Sequence, residues 1–590
     1  MIANKTLAEN HNLISEAKFQ LKIALLITRR NFQDLFSGPP KFKKAQQFKN
    51  GQITSVSESD LWNADDNEQN WVLTAGKIQN LRLATKRING LEIPANQIFS
   101  FWKHIGNPNF GKGFVVGREI REGCIVPSIA GGLCQLSNAL YDAALLAGFE
   151  IIERHRHTKV IKGSLAERDR DATIKWNYVD LRFKSPHPFR IEIELTPEKL
   201  IAKFKSTENT TVGIAPKLNS LLQSSKLNDC YSCGNFDCFK HPDRSAITDQ
   251  KAKTTFILDY KWPEYDVYIK SIAAENDVFI IPIKKNKSIK TDKYNWSIKN
   301  IANIKSVPFA ALKRAFLMRL LSKSKNNVFS LMLRLDKRVA KASAQKIPVE
   351  STRLVISQNL LPFLWEQGVL GGRTFDVLMT RLPMEKLHER LDLAHANYPE
   401  SKTLNDFRAP QTLIDLENAA LTKSRNIITP HQEIADIFNN KSVKLDWVVP
   451  KVQGINNITT NKILFPASAL GRKGAYEMKR LAIELNLSVI IAGKATEDEN
   501  FWDGADARIA EGNPFDDISM VIYPAYVEHQ PRILLKAIAL GIPVITTTAV
   551  GLEPSDKVSI VPVGNYEALK DALNQLLKKM ARSKNLISNR

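Results

Sequence analysis

Residues 117–158, GREIREGCIVPSIAGGLCQLSNALYDAALLAGFEIIERHRHT, form the most informative stretch of this chain. It begins with apolar residues and glycine turns and continues into LCQLSNALYDAALLAG, where apolar residues recur at helical spacing. Gly148 stands where this helix would end, because glycine readily adopts the left-handed conformation found after a helix C-terminus. The pattern predicts a tight glycine turn followed by one helix.

The sequence on either side of this helix predicts β-strands. NGLEIPANQIFSFW, residues 89–102, alternates apolar and polar side chains as strands and turns do. TIKWNYVDLRF and FRIEIEL, residues 173–183 and 189–195, have the same character and are predicted as closing strands. A helix among such strands predicts an α+β domain.

Four motifs in this region resemble the VanW family: GGLCQLSNALY, AGFEIIERHRH, DATIKW and DLRFKSP. They occur in the family's order, and the resemblance covers residues 72–205 approximately. We therefore assign residues 71–210 to a VanW-like domain and residues 1–70 to a helical N-terminal arm. The resemblance implies an association with the cell envelope, but it implies no particular reaction.

Cys134 is the candidate nucleophile of the VanW-like domain. It follows the glycine pair at the start of the predicted helix, where a helix N-terminus and a protonated histidine would stabilise a thiolate. His155 and His157 are both candidates for the base, and the group would suit acyl transfer on an envelope peptide. The alternative is that Cys134 packs beside the glycines and that the histidines cap a strand.

Three further polar residues would complete such a catalytic site. Gln135 would donate a hydrogen bond to an oxyanion, and either Asp171 or Asp180 would orient a histidine. Turn capping explains the two aspartates equally well.

A cysteine-rich loop is predicted at residues 226–245, after a Ser/Asn/Leu stretch typical of a linker. Cys230, Cys233, Cys238 and His241 have the spacing C-x2-C-x4-C-x2-H. Three thiolates and one imidazole suit a structural Zn²⁺ ion. An iron–sulfur cluster is an alternative because three thiolates and one other ligand can hold it. Three free thiols in an exposed loop are the remaining possibility.

Short β-rich runs alternate with helical segments from Thr254 onward, and the alternation restarts after Pro450. Strands that alternate with helices indicate parallel sheets with crossover helices. We therefore predict two doubly wound α/β domains, at residues 250–450 and 451–580, that face a cleft. The whole chain is predicted to be multidomain, with the α+β domain first.

The segments ILFPASALGRKGAYE and VIYPAYVEHQPRILLKAIALGIPVITT resemble the C-terminal half of GT-B type glycosyltransferases. The resemblance implies a nucleotide-diphosphate sugar donor, with Glu528 at the sugar and Gly471, Arg472, Lys473 and Gly474 at the diphosphate. Loop glycines let backbone N–H groups approach a diphosphate. An Arg–Lys pair can stabilise this leaving group without a metal ion. The expected reaction is sugar transfer to a cell-envelope or lipid-linked acceptor.

The chain departs from the GT-B pattern at one position. The family's second glutamate would fall where this chain has Lys536, and a lysine cannot accept hydrogen bonds from hydroxyls. The alternative function is therefore a non-catalytic relic that binds a ligand or partner, with any chemistry in the VanW-like domain. His431, after a predicted strand, is a further candidate for the cleft, although a helix-capping or core role is slightly favoured.

The charge distribution favours anionic partners. The chain has 83 Lys and Arg against 61 Asp and Glu, a formal net charge of +22. Residues 284–346 contribute 17 basic and 2 acidic side chains, and we predict them to be a basic insertion. Within them, AALKRAFLMRLLSK has an amphipathic pattern that suits an anionic membrane surface or, equally, the solvated face of a domain helix.

The location expected from the sequence is cytoplasmic, with peripheral association at the inner face of the membrane. The first 30 residues lack the basic and apolar regions of a secretory signal, and no apolar run is long enough to span a bilayer. Nucleic acid is not expected as a partner because no nucleic-acid-binding fold signature is present.

Overall fold

The computed structural model describes residues 13–62, 68–121, 124–157, 165–206, 253–284, 292–298, 303–321, 328–405, 408–452, 462–494 and 497–588. It forms two compact units. The first comprises Met1–Thr254, Pro348–Arg353 and Gln367–Thr374, and the second comprises Thr255–Ile347, Leu354–Glu366 and Phe375–Arg590. The predicted cysteine-rich loop at 226–245 lies outside the described residues.

The first unit is an α+β domain, as predicted. Its elements in chain order are α1 (Leu13–Ser37), β1 (Gln52–Asp60), α2 (Glu68–Ile88), β2 (Glu92–Ile93), β3 (Phe99–Ser100), α3 (Phe101–Ile105), β4 (Val116–Arg121), β5 (Cys124–Ile129), α4 (Leu133–Leu146), β6 (Glu150–Glu153), β7 (Arg182–Lys184), β8 (Phe189–Leu195) and β9 (Lys199–Ser206).

Antiparallel pairing joins these strands into three small sheets in the described part of the unit. Their orders are β1-β9-β8-β2, β3-β7-β6 and β4-β5. One apolar core, which includes Leu81 of α2, Leu140 of α4 and Phe204 of β9, packs the helices against the strands. Each fully buried side chain of this size stabilises the fold by about 2 kcal/mol.

The predicted helical arm at residues 1–70 needs correction. Only α1 fulfils the prediction, whereas β1 pairs along its length with β9 and so belongs to the domain sheet. The sequence of β1, QITSVSESD, is rich in serine and has little apolar alternation, so its pairing depends on contacts with a strand about 150 residues away.

The glycine turn before α4 is held against α2. Gly132 has a φ of 98°, and a Cβ atom there would lie 2.1 Å from Cγ of Lys77. The fully buried Asn80 amide donates hydrogen bonds of 3.0 Å to the carbonyls of Val115 and Gly131. This turn therefore fixes the point at which α4 begins.

The first lobe of the second unit is an α/β sheet domain. Its elements are β10 (Lys253–Ile257), α5 (Pro263–Ile272), β11 (Val278–Ile281), β12 (Ile304–Ser306), α6 (Pro308–Leu321), α7 (Val328–Ala344), β13 (Ser351–Ser357), α8 (Leu361–Glu366), β14 (Thr374–Leu378), α9 (Met384–Asn397), α10 (Gln411–Lys423), β15 (Asn426–Thr429), α11 (Gln432–Ile437) and β16 (Ser442–Lys444). The strand order is β12-β11-β10-β13-β14-β15-β16.

The predicted basic insertion at 284–346 is instead part of this lobe. Strand β12 pairs in parallel with β11, and α6 contributes Arg314 to the interior. Arg314 is 2% exposed and pairs with the buried carboxylates of Asp259 at 2.8 Å and Asp336 at 2.7 Å. The helical pattern was predicted, but the partners that bury this basic side chain are distant in sequence.

The second lobe contains a parallel six-stranded sheet. Its elements are β17 (Lys462–Phe465), α12 (Ala475–Glu484), β18 (Val489–Ile491), β19 (Ala507–Ile509), β20 (Ile518–Tyr523), α13 (Arg532–Ala539), β21 (Val544–Thr547), β22 (Val558–Val561) and α14 (Tyr566–Ser588). The strand order is β19-β18-β17-β20-β21-β22, and all the pairings are parallel. From β17 the chain adds strands toward one edge of the sheet, and from β20 it adds them toward the other. The predicted pair of doubly wound α/β domains is thus confirmed.

We predict that Gly132→Ala destabilises the first unit by at least about 3 kcal/mol, because steric overlap with Lys77 is added to left-handed backbone strain. Gly148→Ala is the matched control. It has a φ of 70° but no atom within 4 Å of an added Cβ, so it should cost only about 1 kcal/mol. Hydrogen exchange of α4 amides measures both effects. Equal protection losses would contradict the importance of this turn.

Candidate functional sites

Cys134, His157 and Asp171 come together in the first unit. Nδ1 of His157 lies 2.5 Å from Oδ1 of Asp171, which also accepts a hydrogen bond from the His157 backbone N–H. Cys134 lies close enough to the His157 ring to raise the pKa of that ring, and its Sγ lies 3.9 Å from the Thr173 hydroxyl. The imidazole therefore lies between a thiol and a buried carboxylate.

Backbone contacts hold the segments that carry these side chains. The Thr173 N–H donates to the His155 carbonyl at 2.9 Å, which joins the histidine segment to the aspartate segment. The Ala172 N–H donates to Oδ1 of Asn138 at 2.8 Å, and the Ser137 hydroxyl donates to the Ala172 carbonyl at 2.5 Å. Because Asn138 and Ser137 belong to α4, the helix that begins near Cys134 also positions Asp171.

The electrostatic surroundings of His157 favour its protonated form. Burial opposes the positive charge, but the hydrogen bonds and charges of Asp171 and Cys134 outweigh it and raise the pKa of His157 to about 10. The Asp171 side chain is only 3% exposed. The buried carboxylate therefore keeps a positively charged ring beside the Cys134 thiol.

The other residues predicted for this site have different partners. His155 is half exposed, and its Nε2 lies 3.3 Å from Oε1 of Glu153. Among the described residues, its ring has no hydrogen bond to Cys134. The Gln135 amide donates to the Ser59 hydroxyl and the Asp60 carbonyl. Both amide protons are therefore directed at β1 and not at an oxyanion.

Asp180, the second predicted orienting carboxylate, lies in another network. It accepts hydrogen bonds from the Ser100 hydroxyl at 2.6 Å, the Trp102 N–H at 3.1 Å and the Arg182 guanidinium at 2.9 Å. These contacts hold the start of α3 against β7. Of the two aspartates, the structure brings Asp171 to a histidine.

The second candidate site lies where strands of the second unit end. Residues 471–474 follow β17, and Glu528 follows β20. Gly474 has a φ of 77°, and a Cβ atom there would lie 2.2 Å from the Pro524 carbonyl oxygen. This close approach brings Lys473 to Glu528, with 2.9 Å between Nζ and Oε2. Lys473 also donates to the Val527 carbonyl at 3.2 Å.

The acceptor positions of Glu528 are largely filled. Oε2 also accepts from the Tyr523 hydroxyl at 2.5 Å, and Oε1 accepts from the N–H groups of His529 at 2.8 Å and Gln530 at 2.9 Å. Burial raises the pKa of Glu528, but Lys473 and these donors outweigh burial and lower it to about 2. The carboxylate is therefore ionised and anchors Lys473.

Arg472 contributes both backbone and charge to this site. Its carbonyl accepts hydrogen bonds from the Tyr526 and Val527 N–H groups at 3.0 Å and 3.2 Å. Its positive charge acts on the Tyr523 hydroxyl. Gly471 precedes it, and its N–H donates to Glu497 at 2.7 Å. The predicted Gly471–Gly474 turn is therefore fixed by the loops around it.

Two buried histidines lie beside this turn. Nε2 of His431, in the first lobe, lies 3.1 Å from the Ala549 carbonyl in the second. Burial lowers the pKa of His431, and burial together with the charge of Lys473 lowers that of His529. The Nδ1 atoms of both rings are buried and have no hydrogen-bond partner among the described residues. Unpaired buried polar atoms are uncommon and require an explanation.

Arg532 is a residue that the sequence analysis missed. It forms a two-pronged ion pair with the buried Glu264 of the first lobe, at 2.7 Å and 2.6 Å. Lys536, one helical turn later, places its ammonium group 4.9 Å from the centre of the Phe515 ring. The local sequence around Arg532 contains no signal for a partner 268 residues away.

The family comparison confirms the VanW resemblance. Residues 76–205 match the model of the family described as VanW like protein. YoaR of Bacillus subtilis is 32% identical over 108 residues, and the vancomycin B-type resistance protein VanW of Enterococcus faecalis is 31% identical over 134 residues. The matches cover 18% and 22% of this chain and 35% and 48% of those proteins. The chain therefore spans half or less of the length of these relatives.

Solved structures with some likeness to this chain include sucrose-phosphate synthase from Thermosynechococcus elongatus, with 13% sequence identity and a TM-score of 0.34. Anabaena Alr3699/HepE in complex with UDP and glucose has 11% identity and the same TM-score. Each match covers 56% of this chain and 91% of the other. The architecture of the two lobes is defined by their own strand orders.

The described residues contain neither a metal-binding group of side chains nor a membrane-spanning helix. Within those ranges, no group of three or more His, Cys, Asp or Glu side chains could hold a metal ion. The predicted Zn²⁺ ligands lie outside those ranges and stay a prediction. No described helix is both long enough and apolar enough to cross a bilayer.

We predict that the first unit loses stability as the pH rises from about 6.5 to about 10. The pKa of His157 is 6.5 in an unperturbed chain and about 10 in the fold, so its protonation stabilises the fold fully below the lower value. That contribution is lost as the pH rises through the higher value. His157→Gln should flatten this dependence of stability on pH. The measurement is the urea concentration at which half of the first unit is unfolded at each pH, followed by proteolysis of the full chain with the cleaved peptides identified. A variant as pH-sensitive as the wild type would contradict the assignment.

Proposed function

We propose that the second unit transfers a sugar from a nucleotide diphosphate to a cell-envelope or lipid-linked acceptor. The observation that carries the proposal is the pair of buried, unpaired histidine Nδ1 atoms next to the Lys473–Glu528 ion pair. A polar ligand in this place would supply the partners that the protein does not.

The sheet topology supports this location for a donor. In open parallel sheets, ligands bind beyond the carboxyl ends of the strands where the strand order reverses. In the second lobe that reversal occurs between β17 and β20, and the Gly471–Gly474 turn and Glu528 follow these two strands. The turn is therefore where a diphosphate is expected.

The cations at this turn suit an anionic leaving group. Lys473 uses two of its three ammonium protons for Glu528 and the Val527 carbonyl, which leaves one for a phosphate oxygen. Arg472 supplies a second positive charge from the adjacent position. Stabilising the leaving diphosphate in this way requires no bound metal ion.

Glu528 and His431 have distinct roles in this proposal. Glu528 holds Lys473 and now accepts four hydrogen bonds from the protein. A sugar hydroxyl would replace one of these four donors. The bond between the anomeric carbon and the phosphate oxygen breaks, and the acceptor oxygen bonds to that carbon. Burial lowers the pKa of His431, which favours its neutral form, and its Nδ1 would take the acceptor's proton once a bound acceptor contacts this buried atom.

We predict that the full chain binds at least one nucleoside diphosphate from a panel that includes UDP, ADP, GDP and dTDP. Arg472→Ala and Lys473→Ala should each weaken binding at least about tenfold, because each removes a charge from the diphosphate site. Lys479→Ala is the control, since Lys479 is on α12 but stacks on Phe501. Isothermal titration calorimetry measures the affinities.

Absence of binding to every nucleotide, or an equal loss for Lys479→Ala, would contradict the proposal. The non-catalytic alternative predicts binding without hydrolysis or transfer of the sugar. Lys536→Glu separates the two further, because a carboxylate there restores an acceptor for sugar or ribose hydroxyls. A variant that gains turnover from an inactive wild type would favour the relic.

Helix α6 suggests how the unit reaches a lipid-linked acceptor. Phe309, Leu312, Phe316 and Leu320 recur at helical spacing and are all exposed, with Phe309 82% and Phe316 65% exposed. Exposed Lys305 and Lys313 lie on the same segment. An apolar stripe beside basic side chains fits the interface of an anionic bilayer. We therefore include peripheral membrane association in the proposed function.

We predict that Phe309→Ser combined with Phe316→Ser weakens binding to phosphatidylglycerol vesicles at least about tenfold, because two rings that would enter the bilayer interface are removed. Val267→Ser is the control, since it removes a similarly exposed apolar side chain from α5 of the same lobe. Co-sedimentation measures binding. No binding by the wild type, or an equal loss in the control, would exclude this surface as the membrane contact.

A further inference from the structure

We propose that Cys134, His157 and Asp171 form a second catalytic site, independent of the sugar-transfer site, that acts on the carbonyl group of an amide or ester. The His157 ring lies 2.5 Å from Asp171, and Cys134 is close enough to act on the charge of the same ring, so the order is thiol, imidazole, carboxylate. That order of nucleophile, base and orienting group is the one that nucleophilic acyl transfer requires.

The geometry gives each group a single role. Asp171 accepts from both the ring and the backbone N–H of His157, so it fixes which ring nitrogen faces Cys134. Because Nδ1 is directed at the carboxylate, the other side of the ring is available to the thiol. Cys134 is half-buried and packs partly against the apolar core, so a substrate carbonyl would approach its sulfur from the exposed side.

The start of α4 supplies the position for the oxyanion. The residue before the helix, Gly132, has no side chain and provides no cap for the first backbone N–H groups. The Gln135 N–H donates to the Gly132 carbonyl at 3.1 Å, so the N–H groups of Leu133 and Cys134 are the ones that would meet a developing negative charge. Cys134 belongs to this first turn, so its sulfur and these donors can address the same carbonyl.

The proposed reaction balances without a further reagent. The Cys134 sulfur bonds to the carbonyl carbon, and the bond from that carbon to the leaving nitrogen or oxygen breaks. His157 carries the thiol proton and gives it to the leaving group. Water or an amine then attacks the thioester, returns its proton through His157 and releases the acyl group.

Two residues of α4 hold the Asp171 segment in place for this reaction. Asn138 and Ser137 bind the backbone of Ala172, which keeps Asp171 within reach of the ring. These are positioning residues, since they touch the aspartate segment and not the thiol. A cysteine that merely packs in a core needs none of these contacts.

The first experiment is alkylation of the folded full chain by iodoacetamide at pH 7, with the modified thiol located by peptide mass spectrometry. We expect rapid modification of Cys134. His157→Gln should slow it at least about tenfold, because the thiol loses the positively charged ring beside it. His155→Gln should have little effect, since that exposed ring pairs with Glu153. Modification of Cys134 only after denaturation would overturn the proposal.

The second experiment tests turnover and distinguishes the two acyl sources. A p-nitrophenyl ester and a p-nitroanilide serve as probes, and a hydroxylamine-sensitive acyl group on Cys134 is the expected intermediate. His157→Gln should reduce turnover at least about 100-fold, the usual scale of lost acid–base catalysis. Turnover that persists in Cys134→Ala would also overturn the proposal. If the histidine variant fails to fold, wild-type alkylation and the acyl-enzyme decide by themselves.

Discussion

A buried carboxylate must be surrounded by donors if it is to remain ionised, and this constraint organises both candidate sites. In the first unit, the donors around Asp171 are the ring and the backbone N–H of His157. In the second unit, Glu528 meets the constraint through Lys473, Tyr523 and two backbone N–H groups. In each case the carboxylate determines where the reactive or binding cation lies. The acid itself therefore acts mainly by position.

The same constraint explains how the two lobes of the second unit are joined. Glu264 is buried, and Arg532 of the other lobe forms an ion pair with it. Glu497 accepts from the Ser401 hydroxyl of the first lobe and from the Gly471 N–H of the second. Removing one partner of such a pair leaves a buried charge without compensation, which is more costly than losing the contact alone. The Gly471–Gly474 turn is thus tied to the interlobe contacts.

The sequence predicted the architecture because buried parallel strands appear as continuous apolar runs, of which β20 is an example. It also predicted Cys134 and Lys473, whose neighbouring glycines mark tight turns, and it predicted Glu528 from the GT-B resemblance. It could not choose His157 over His155, because that choice depends on Asp171 and the pairing register. Arg314 was assigned to an amphipathic pattern, yet carboxylates 55 and 22 residues away bury it. Long-range partners are not written into local periodicity.

The departure at Lys536 has a different meaning once the contacts of Glu528 are known. The family resemblance expects two glutamates to accept hydroxyl hydrogen bonds, and here one is replaced while the other is filled by donors of the protein itself. Hydroxyl recognition must then involve either exchange at Glu528 or the unpaired nitrogens of His431 and His529. The second possibility requires both rings to stay neutral, and their lowered pKa values satisfy that requirement. Because Cys134, His157 and Asp171 all belong to the other unit, this donor-site question can be answered without affecting the proposed acyl chemistry.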